Sequence, residues 1–407
     1  MDQKLSFYVV DDDIYFVEYA ISLLDAAGHK TAHNESARAA LAEIITQKPD
    51  CVLLDIMMPE MDGLELCRQL RNDRRLEDTK IVIVTAKPYE FDRKRALSFG
   101  ADGYVIKPID KERFVADLEK IIEDRLELAF WGVRGTLPVP GERSTRYGGN
   151  TSCVSLGFSK DDLFIFDAGS GIKALSDHLA AQKRLKLEAK IFISHPHWDH
   201  INTLPFFSPV FMPGNEFEIL GASHGDVTMR ELISAQMDGV YFPIKIKEFA
   251  ARVYFRNLKE EQFSIGDVSI RTMLLNHPGY CIGYRVEHRG RTVCYVTDNE
   301  IYPESAQYYN PAYMRKLTDF VRKADILITD CTYTAAEYVS KISWGHSSVD
   351  EVARLAAAAE VKRLFLFHHD PDQSDDDIDA KLETASAILQ TSSTECIAPR
   401  EGQLVSV

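Results

Sequence analysis

The chain lacks any run of about 18 consecutive apolar residues, the length needed to cross a hydrocarbon core. Met1-Asp-Gln-Lys4 leads towards a strand and has no apolar signal segment behind it. Neither a membrane anchor nor a secretory leader is expected. Positive charge is also scarce: 47 Lys and Arg stand against 62 Asp and Glu, a net of −15. Proteins that grip long nucleic acids draw much of their affinity from neutralising the backbone. That function is disfavoured, whereas a small phosphate ester held by cations is compatible with an acidic chain. Cys51, Cys67, Cys153, Cys281, Cys294, Cys331 and Cys396 show no paired spacing. This excludes a disulfide framework and points to a reducing, cytoplasmic setting. With 407 residues there is room for two or three domains, each with its own core.

Short apolar runs come first. Ser6–Val10 ends in Asp11-Asp12-Asp13, Cys51–Leu54 in Asp55, Ile81–Val84 in Thr85, and Gly103–Ile106 in Lys107-Pro108. Helical patterns lie between them, at Phe16–Ala27, Glu35–Thr46, Gly63–Leu70 and Arg93–Phe99. Strands alternating with helices predict an α/β, doubly wound (βα)5 unit, whose site lies beyond the strand C-termini. Asp11, Asp12 and Asp55, with a carbonyl near Met57, can hold a hard cation such as Mg²⁺. The cation screens Asp55, so that its carboxylate can attack a phosphoryl group. Lys107 and Thr85 would bind the new phosphoryl oxygens, and Tyr104 is placed to change rotamer with Thr85. Together, Asp11-Asp12, LLDIMMPEMDG (53–63), Thr85-Ala86 and GYVIKP (103–108) resemble the receiver domain of two-component response regulators. The resemblance covers residues 1–122. It implies Asp55 as phosphoacceptor and a histidine kinase as donor. No helix-turn-helix pattern follows, so a DNA-binding output is not expected.

Residues 111–130, KERFVADLEKIIEDRLELAF, carry apolar positions at helical spacing. They predict the last receiver helix continuing as a linker, through which a homodimer could form.

The remainder, 131–407, is dominated by His195-Pro-His197-Trp-Asp199-His200, directly after the apolar run Lys190–Ser194. Further ligand types follow other predicted strands: His277 after 272–276, Asp298 after 291–297, and His368-His369 after 363–367, while His346 lies in WGHSS (344–348). We assign His195, His197 and His277 to one ion and Asp199, His200 and His368 to a second. Asp298 bridges them, and His369 is left aside as the later of two adjacent histidines. Such nitrogen and oxygen ligands suit Zn²⁺, with Mn²⁺ or Fe also compatible. A hydroxide held between paired ions is a strong nucleophile at neutral pH.

These motifs resemble the metallo-β-lactamase fold superfamily, and GHSS (345–348) with VKRLFLFH (361–368) resembles its phosphodiesterase branch, which includes the tRNA 3′-processing endonuclease. The resemblance implies an αβ/βα sandwich, the same seven ligands, and His346 as proton donor to the leaving oxygen, with Asp199 also orienting the nucleophile. Between His200 and His277 there is no long Gly/Pro-rich basic arm of the kind that grasps tRNA. A small phosphodiester, such as a cyclic nucleotide or dinucleotide, is therefore favoured over structured RNA. Phe206, Phe207, Phe211, Tyr241 and Phe242 could wall a pocket or form lid core. Arg143, Arg146 and Gly148-Gly149 could contact a phosphate, and Gly169 and Gly171 could offer N–H groups to an anion. The expected protein is a response regulator with a binuclear-metal phosphodiesterase output. An ester, thioester or lactam hydrolase is the alternative enzyme, and a non-catalytic nucleotide- or protein-binding signalling module the alternative class.

Overall fold

Strands β1 (Ser6–Val10), β2 (Lys30–Asn34), β3 (Cys51–Leu54), β4 (Lys80–Thr85) and β5 (Gly103–Ile106) form one parallel sheet, ordered β2-β1-β3-β4-β5, in the computed structural model of the protein. Residues 4–407 are described, apart from 60, 77, 123–125, 159–161, 185 and 241. The chain divides into two units, one built mainly on Met1–Leu126 and the other mainly on Glu127–Gly157 and Asp162–Val407.

Helices α1 (Ile14–Ala26), α2 (Ala37–Gln47), α3 (Gly63–Asn72), α4 (Glu90–Ser98) and α5 (Phe114–Ile122) complete the first unit. Buried residues alternate along the strands and supply two cores. Tyr8, Val10, Val52 and Leu54 pack with residues of α2 and α3, whereas Phe7, Val9, Cys51 and Leu53 pack with α1 and α5. That is the doubly wound arrangement, with its site at the strand C-termini.

The expected helix through residue 130 is not formed. α5 ends at Ile122, and Glu127–Gly132 is a strand, β6. Its residues Leu128, Ala129, Phe130 and Trp131 are all buried, which a helix with one apolar face could not achieve. The ladder partners on both sides of β6 decide the matter.

The second unit contains two seven-stranded sheets. Strands β6, β7 (Cys153–Gly157), β8 (Leu163–Phe166), β9 (Glu188–Ile193), β10 (Glu216–Ala222) and β11 (Arg252–Leu258) belong to one sheet. Strands β12 (Gln262–Ile265), β13 (Val268–Leu274), β14 (Ile282–His288), β15 (Arg291–Val296), β16 (Ile326–Asp330), β17 (Arg363–Phe367) and β18 (Glu395–Ile397) make the other. The chain then returns to the first sheet as β19 (Leu404–Ser406), antiparallel to β6 with Ser406 opposite Glu127. Aromatic side chains join the facing sheets: Phe130 meets Phe365 at 5.1 Å, Phe166 meets Tyr295 at 5.3 Å, and Phe192 meets Tyr284 at 5.2 Å. The opposite faces are covered by helices. Ile172 and Leu175 pack on the first sheet, and Leu317, Val352 and Leu389 on the second. The result is the αβ/βα sandwich, in which loops at the strand C-termini share one rim.

Candidate metal centre

In the first unit, Asp11 and Asp55 are buried at the ends of β1 and β3, with Lys107 after β5. Lys107 Nζ donates to Asp11 Oδ2 at 2.6 Å and lies 3.4 Å from Asp55 Oδ1. Burial pushes the Asp11 carboxyl upward, and the Lys107 ammonium opposes that shift. Asp55 Oδ2 accepts the Met57 N–H at 2.6 Å, while Asp12 and the Met57 side chain are exposed. Thr85 is buried at the end of β4 and accepts weakly from the Lys87 N–H; the Tyr104 hydroxyl donates to the Lys87 carbonyl at 2.9 Å. Asp13 caps α1 by accepting from Tyr15 and Phe16 N–H groups. The structure thus brings together Asp11, Asp55 and Lys107, and ties Tyr104 and Thr85 through Lys87.

In the second unit the histidines arrive from separate strand ends. His195 follows β9, and His197 stands just before the short helix Trp198–Ile201, which carries Asp199 and His200. Gly169 packs so closely below this turn that a Cβ would sit 2.1 Å from the Asp199 carbonyl oxygen. His277, Asp298 and His368 follow β13, β15 and β17.

Asp298 divides its two oxygens between two sets of histidines. Oδ2 faces His195 Nε2 at 3.6 Å and His277 Nε2 at 3.8 Å, whereas Oδ1 faces His200 Nε2 at 3.3 Å and His368 Nε2 at 3.1 Å. His197 Nδ1 is 3.3 Å from His277 Nε2, and Asp199 Oδ2 lies 3.1 Å from both His200 Nε2 and His368 Nε2. Two clusters result, His195-His197-His277-Asp298 and Asp199-His200-His368. The fit to cations can be tested on unmet polar atoms. His195 Nε2 and His200 Nε2 are buried without a hydrogen-bond partner, and both point into these clusters. Divalent cations would satisfy them, and the nitrogen and carboxylate donors suit Zn²⁺ or a neighbouring first-row metal.

A ring of polar groups fixes these side chains. Asp167, buried at the end of β8, takes His200 Nδ1 at 2.8 Å and also accepts from Ser194 and the Tyr295 hydroxyl. His277 Nδ1 lies 2.9 Å from the Gly345 carbonyl, Thr297 donates to Asp298, and the Thr136 N–H donates to Asp199 at 2.7 Å. Asp167, Asp298 and His368 each have positive φ, of 60°, 40° and 58°. These three residues of the centre are therefore held in a backbone conformation that side chains rarely adopt. Burial opposes charge on Asp298, but His368, His200 and His195 outweigh it and hold its carboxyl well below the usual range. Burial and neighbouring imidazoles press His195 in the neutral direction, as a ligand requires.

His346 joins Asp298 and His368 in a third grouping. Its Nδ1 is 2.7 Å from Asp330 Oδ2, and Asp330 is fully buried at the end of β16. Burial opposes its charge, yet the Asp330 carboxylate prevails and lifts the imidazole to about 9. Sequence reasoning missed Asp330, although it obeys the same rule of an acid directly after an apolar strand. Glu300 was missed as well. Its buried carboxylate accepts from the Tyr338 hydroxyl at 2.7 Å, the Ser343 N–H at 2.8 Å and the Gly345 N–H at 2.8 Å, folding the loop that carries His346.

His369 turns away from the cluster to Lys381 Nζ at 2.9 Å, which makes His368 the member at the centre. Other expectations are corrected. Arg146 is paired with Asp376 and Asp379, and Arg143 donates to the Asp372 carbonyl. The Gly169 and Gly171 N–H groups are taken by the carbonyls of Ser152 and Thr151, so neither is left for an anion. Phe207 is core and Phe211 packs on Phe249, whereas exposed Phe206 meets Phe242; Tyr241 lies outside the described residues.

Comparison with known proteins follows the same division. Residues 7–119 match the response regulator receiver domain, and residues 163–369 match the beta-lactamase superfamily domain. The chain belongs to the beta-lactamase superfamily. Its superfamily domain is fused to a receiver domain. It is similar to the metallo-beta-lactamase fold protein YhfI from Bacillus subtilis, with a TM-score of 0.52 and 20% identity, over 70% of this chain and 100% of that one. In the receiver it is 36% identical over 114 residues to the phosphate regulon transcriptional regulatory protein PhoB of Pseudomonas aeruginosa, covering 28% of this chain and 50% of PhoB. It is also 36% identical over 129 residues to the alkaline phosphatase synthesis transcriptional regulatory protein PhoP of Bacillus subtilis, covering 32% and 52%. The chain thus spans about half the length of these curated relatives. Both ligand clusters lie within the residues that match the superfamily domain. Among the described residues, no helix is long and apolar enough to cross a membrane.

Proposed function

We propose that the superfamily domain is a phosphodiesterase with two divalent cations, controlled by phosphorylation of Asp55 by a histidine kinase. The observation that carries this reading is Asp298, whose two oxygens face separate histidine sets. When bound, the cations, Zn²⁺ or Mn²⁺, would supply positive charge for phosphoryl oxygens and acidify a water into a nucleophile. His195, His197 and His277 would hold one, Asp199, His200 and His368 the other, with Asp298 shared. Thr136 fixes the orientation of Asp199 beside the reacting water. His346 presents the proton that the leaving oxygen needs. Asp330 holds its Nδ1, so the other ring nitrogen delivers the proton. In the receiver, Asp11, Asp12 and Asp55 would hold Mg²⁺, and Lys107 is poised between both buried acids to meet the phosphoryl group. The −15 net charge favours a small substrate over structured RNA, and the unpaired cysteines favour a cytoplasmic setting.

The test is hydrolysis of bis(p-nitrophenyl) phosphate by protein loaded with Zn²⁺ or Mn²⁺, with metal content measured alongside. Asp298→Ala should lose both turnover and metal. His346→Ala should keep its metal and lose turnover by about 10²–10⁴-fold on a dinucleotide, whose alkoxide leaving group needs a proton, and by less on the p-nitrophenyl ester, whose phenolate departs without one. Loss of metal from His346→Ala would instead make this residue a ligand. No turnover with two metals bound would reject phosphodiester cleavage in favour of another ester or a binding role.

A further inference from the structure

Lys341 holds its ammonium on aromatic faces and not against a carboxylate. Its Nζ lies 4.1 Å from the centroid of the Trp344 ring and 5.7 Å from that of Tyr333. Among the described residues it has no ion pair, and it is partly exposed. Glu337, in the helix just before, is already bound by Thr334 and by Gln373 Nε2 at 3.0 Å. An ammonium held on ring faces keeps its donors and its charge, because aromatic faces attract a cation without neutralising it.

The position of this charge is built. Trp344 N–H donates back to the Lys341 carbonyl at 3.1 Å, closing a tight turn. Glu300 clamps the same turn through the Ser343 and Gly345 N–H groups. The Gly345 carbonyl meets His277, and the Tyr333 ring that supports Lys341 has the His346 ring at 6.0 Å on an edge. One turn of chain therefore carries the unclaimed ammonium, the exposed Trp344, and the histidine proposed as proton donor. The Tyr333 ring is thus common to both groups, with the Lys341 ammonium 5.7 Å and the His346 ring 6.0 Å from its centroid.

We propose that Lys341 is an anion subsite of the metal centre: it takes a second phosphate, next to the one that is cleaved, and so directs the enzyme to phosphodiesters that carry one. This rests on the phosphodiesterase reading and adds a substrate class to it. A dinucleotide or a phosphorylated nucleotide end has that second group; a simple diester of one phosphate does not. Lysine acts on phosphate as a point charge with three donors, so the subsite reads charge and reach more than shape.

A matched pair of esters tests it: thymidine 5′-(p-nitrophenyl phosphate), and the same compound with a 3′-phosphate. In both, water adds to the 5′-phosphorus, the bond to the p-nitrophenyl oxygen breaks, and p-nitrophenolate departs with the electron pair. The readout is the ratio of kcat/KM between the two esters for the metal-loaded full chain. The unaltered protein should prefer the 3′-phosphorylated ester. Lys341→Gln should lower that preference about tenfold, mainly through KM, and Lys341→Arg should retain most of it. Partial misfolding of a variant lowers both rates together and leaves the ratio readable. A second measurement needs no variant: the preference of the unaltered protein should fall as salt is raised. A ratio near one, or one that neither Lys341→Gln nor salt alters, overturns the subsite while leaving phosphodiester cleavage standing. Cleavage of neither ester rejects the underlying reading, and the subsite with it.

Discussion

Glu300 accepts three hydrogen bonds with one buried carboxylate, and two of them come from backbone N–H groups of a single turn. Replacing it with Gln keeps the shape but substitutes an NH₂ for one acceptor, which would then face a donor. Glu300→Gln should lower turnover by about 10–100-fold, the range seen when partners of metal ligands are altered. It should leave the receiver's uptake of phosphate intact. Measuring kcat beside metal content separates the effects, because Gly345 gives its N–H to Glu300 and its carbonyl to His277. Intact turnover in the folded variant would show that the turn holds itself. Residues of this kind leave little trace in sequence. His195, His197 and Asp199 declare themselves by spacing, whereas Glu300 and Lys341 gain their roles from a fold in the loop between β16 and the helix at Val349–Ala358. Asp330 was within reach, since it ends β16 as Asp298 follows β15.

Among elements, α3 of the receiver is closely constrained at its start. Its first residue, Gly63, backs onto the loop holding the phosphoacceptor, where an added Cβ would lie 1.8 Å from the Asp55 carbonyl oxygen. That neighbour is backbone and cannot swing aside. Gly63→Ala should destabilise the receiver by about 1–3 kcal/mol, as overpacking does, and slow phosphorylation of Asp55 by a small acyl phosphate. Denaturant unfolding and phosphate incorporation would measure both; an unaltered rate would show that the loop adapts. Legibility in sequence also varied by element. Cys51–Leu54 and Lys80–Thr85 were readable because strands buried on both faces are continuous apolar runs. Lys30–Asn34, with sequence KTAHN at an edge of the sheet, has no such run, and the fifth receiver strand could be expected but not located. Glu127–Gly132 was misread as helix because ELAF fits either period when the helix before it is extended. Glu216–Ala222 and Arg252–Leu258 also escaped, having few apolar residues in strict alternation with polar ones.

At the scale of the molecule, each unit has cores of its own, and each has a separate reason to bind cations. Heating should therefore give two transitions instead of one. Removing metal from the loaded protein with a chelator should lower the transition of the superfamily domain, because cations bind its folded state alone; at a thousand times Kd that linkage is about 4 kcal/mol. Scanning calorimetry before and after chelation, with Mg²⁺ restored to serve the receiver, would check this. A single transition unaffected by the chelator would count against both the independence of the units and the metal centre. The sandwich itself was expected from the resemblance of the metal-ligand motifs to a known fold, but its closure was not, since LVS near residue 404 carries no local signal. That closure bears on gene order. Because β19 lies antiparallel to β6, with Ser406 opposite Glu127, the superfamily domain begins and ends at adjacent points on one sheet edge. A rearranged gene that placed the receiver after this domain, or inserted the domain into a loop of another protein, would keep every strand pairing. The fusion is in that sense reversible in order, and a permuted chain with the receiver last is expected to fold.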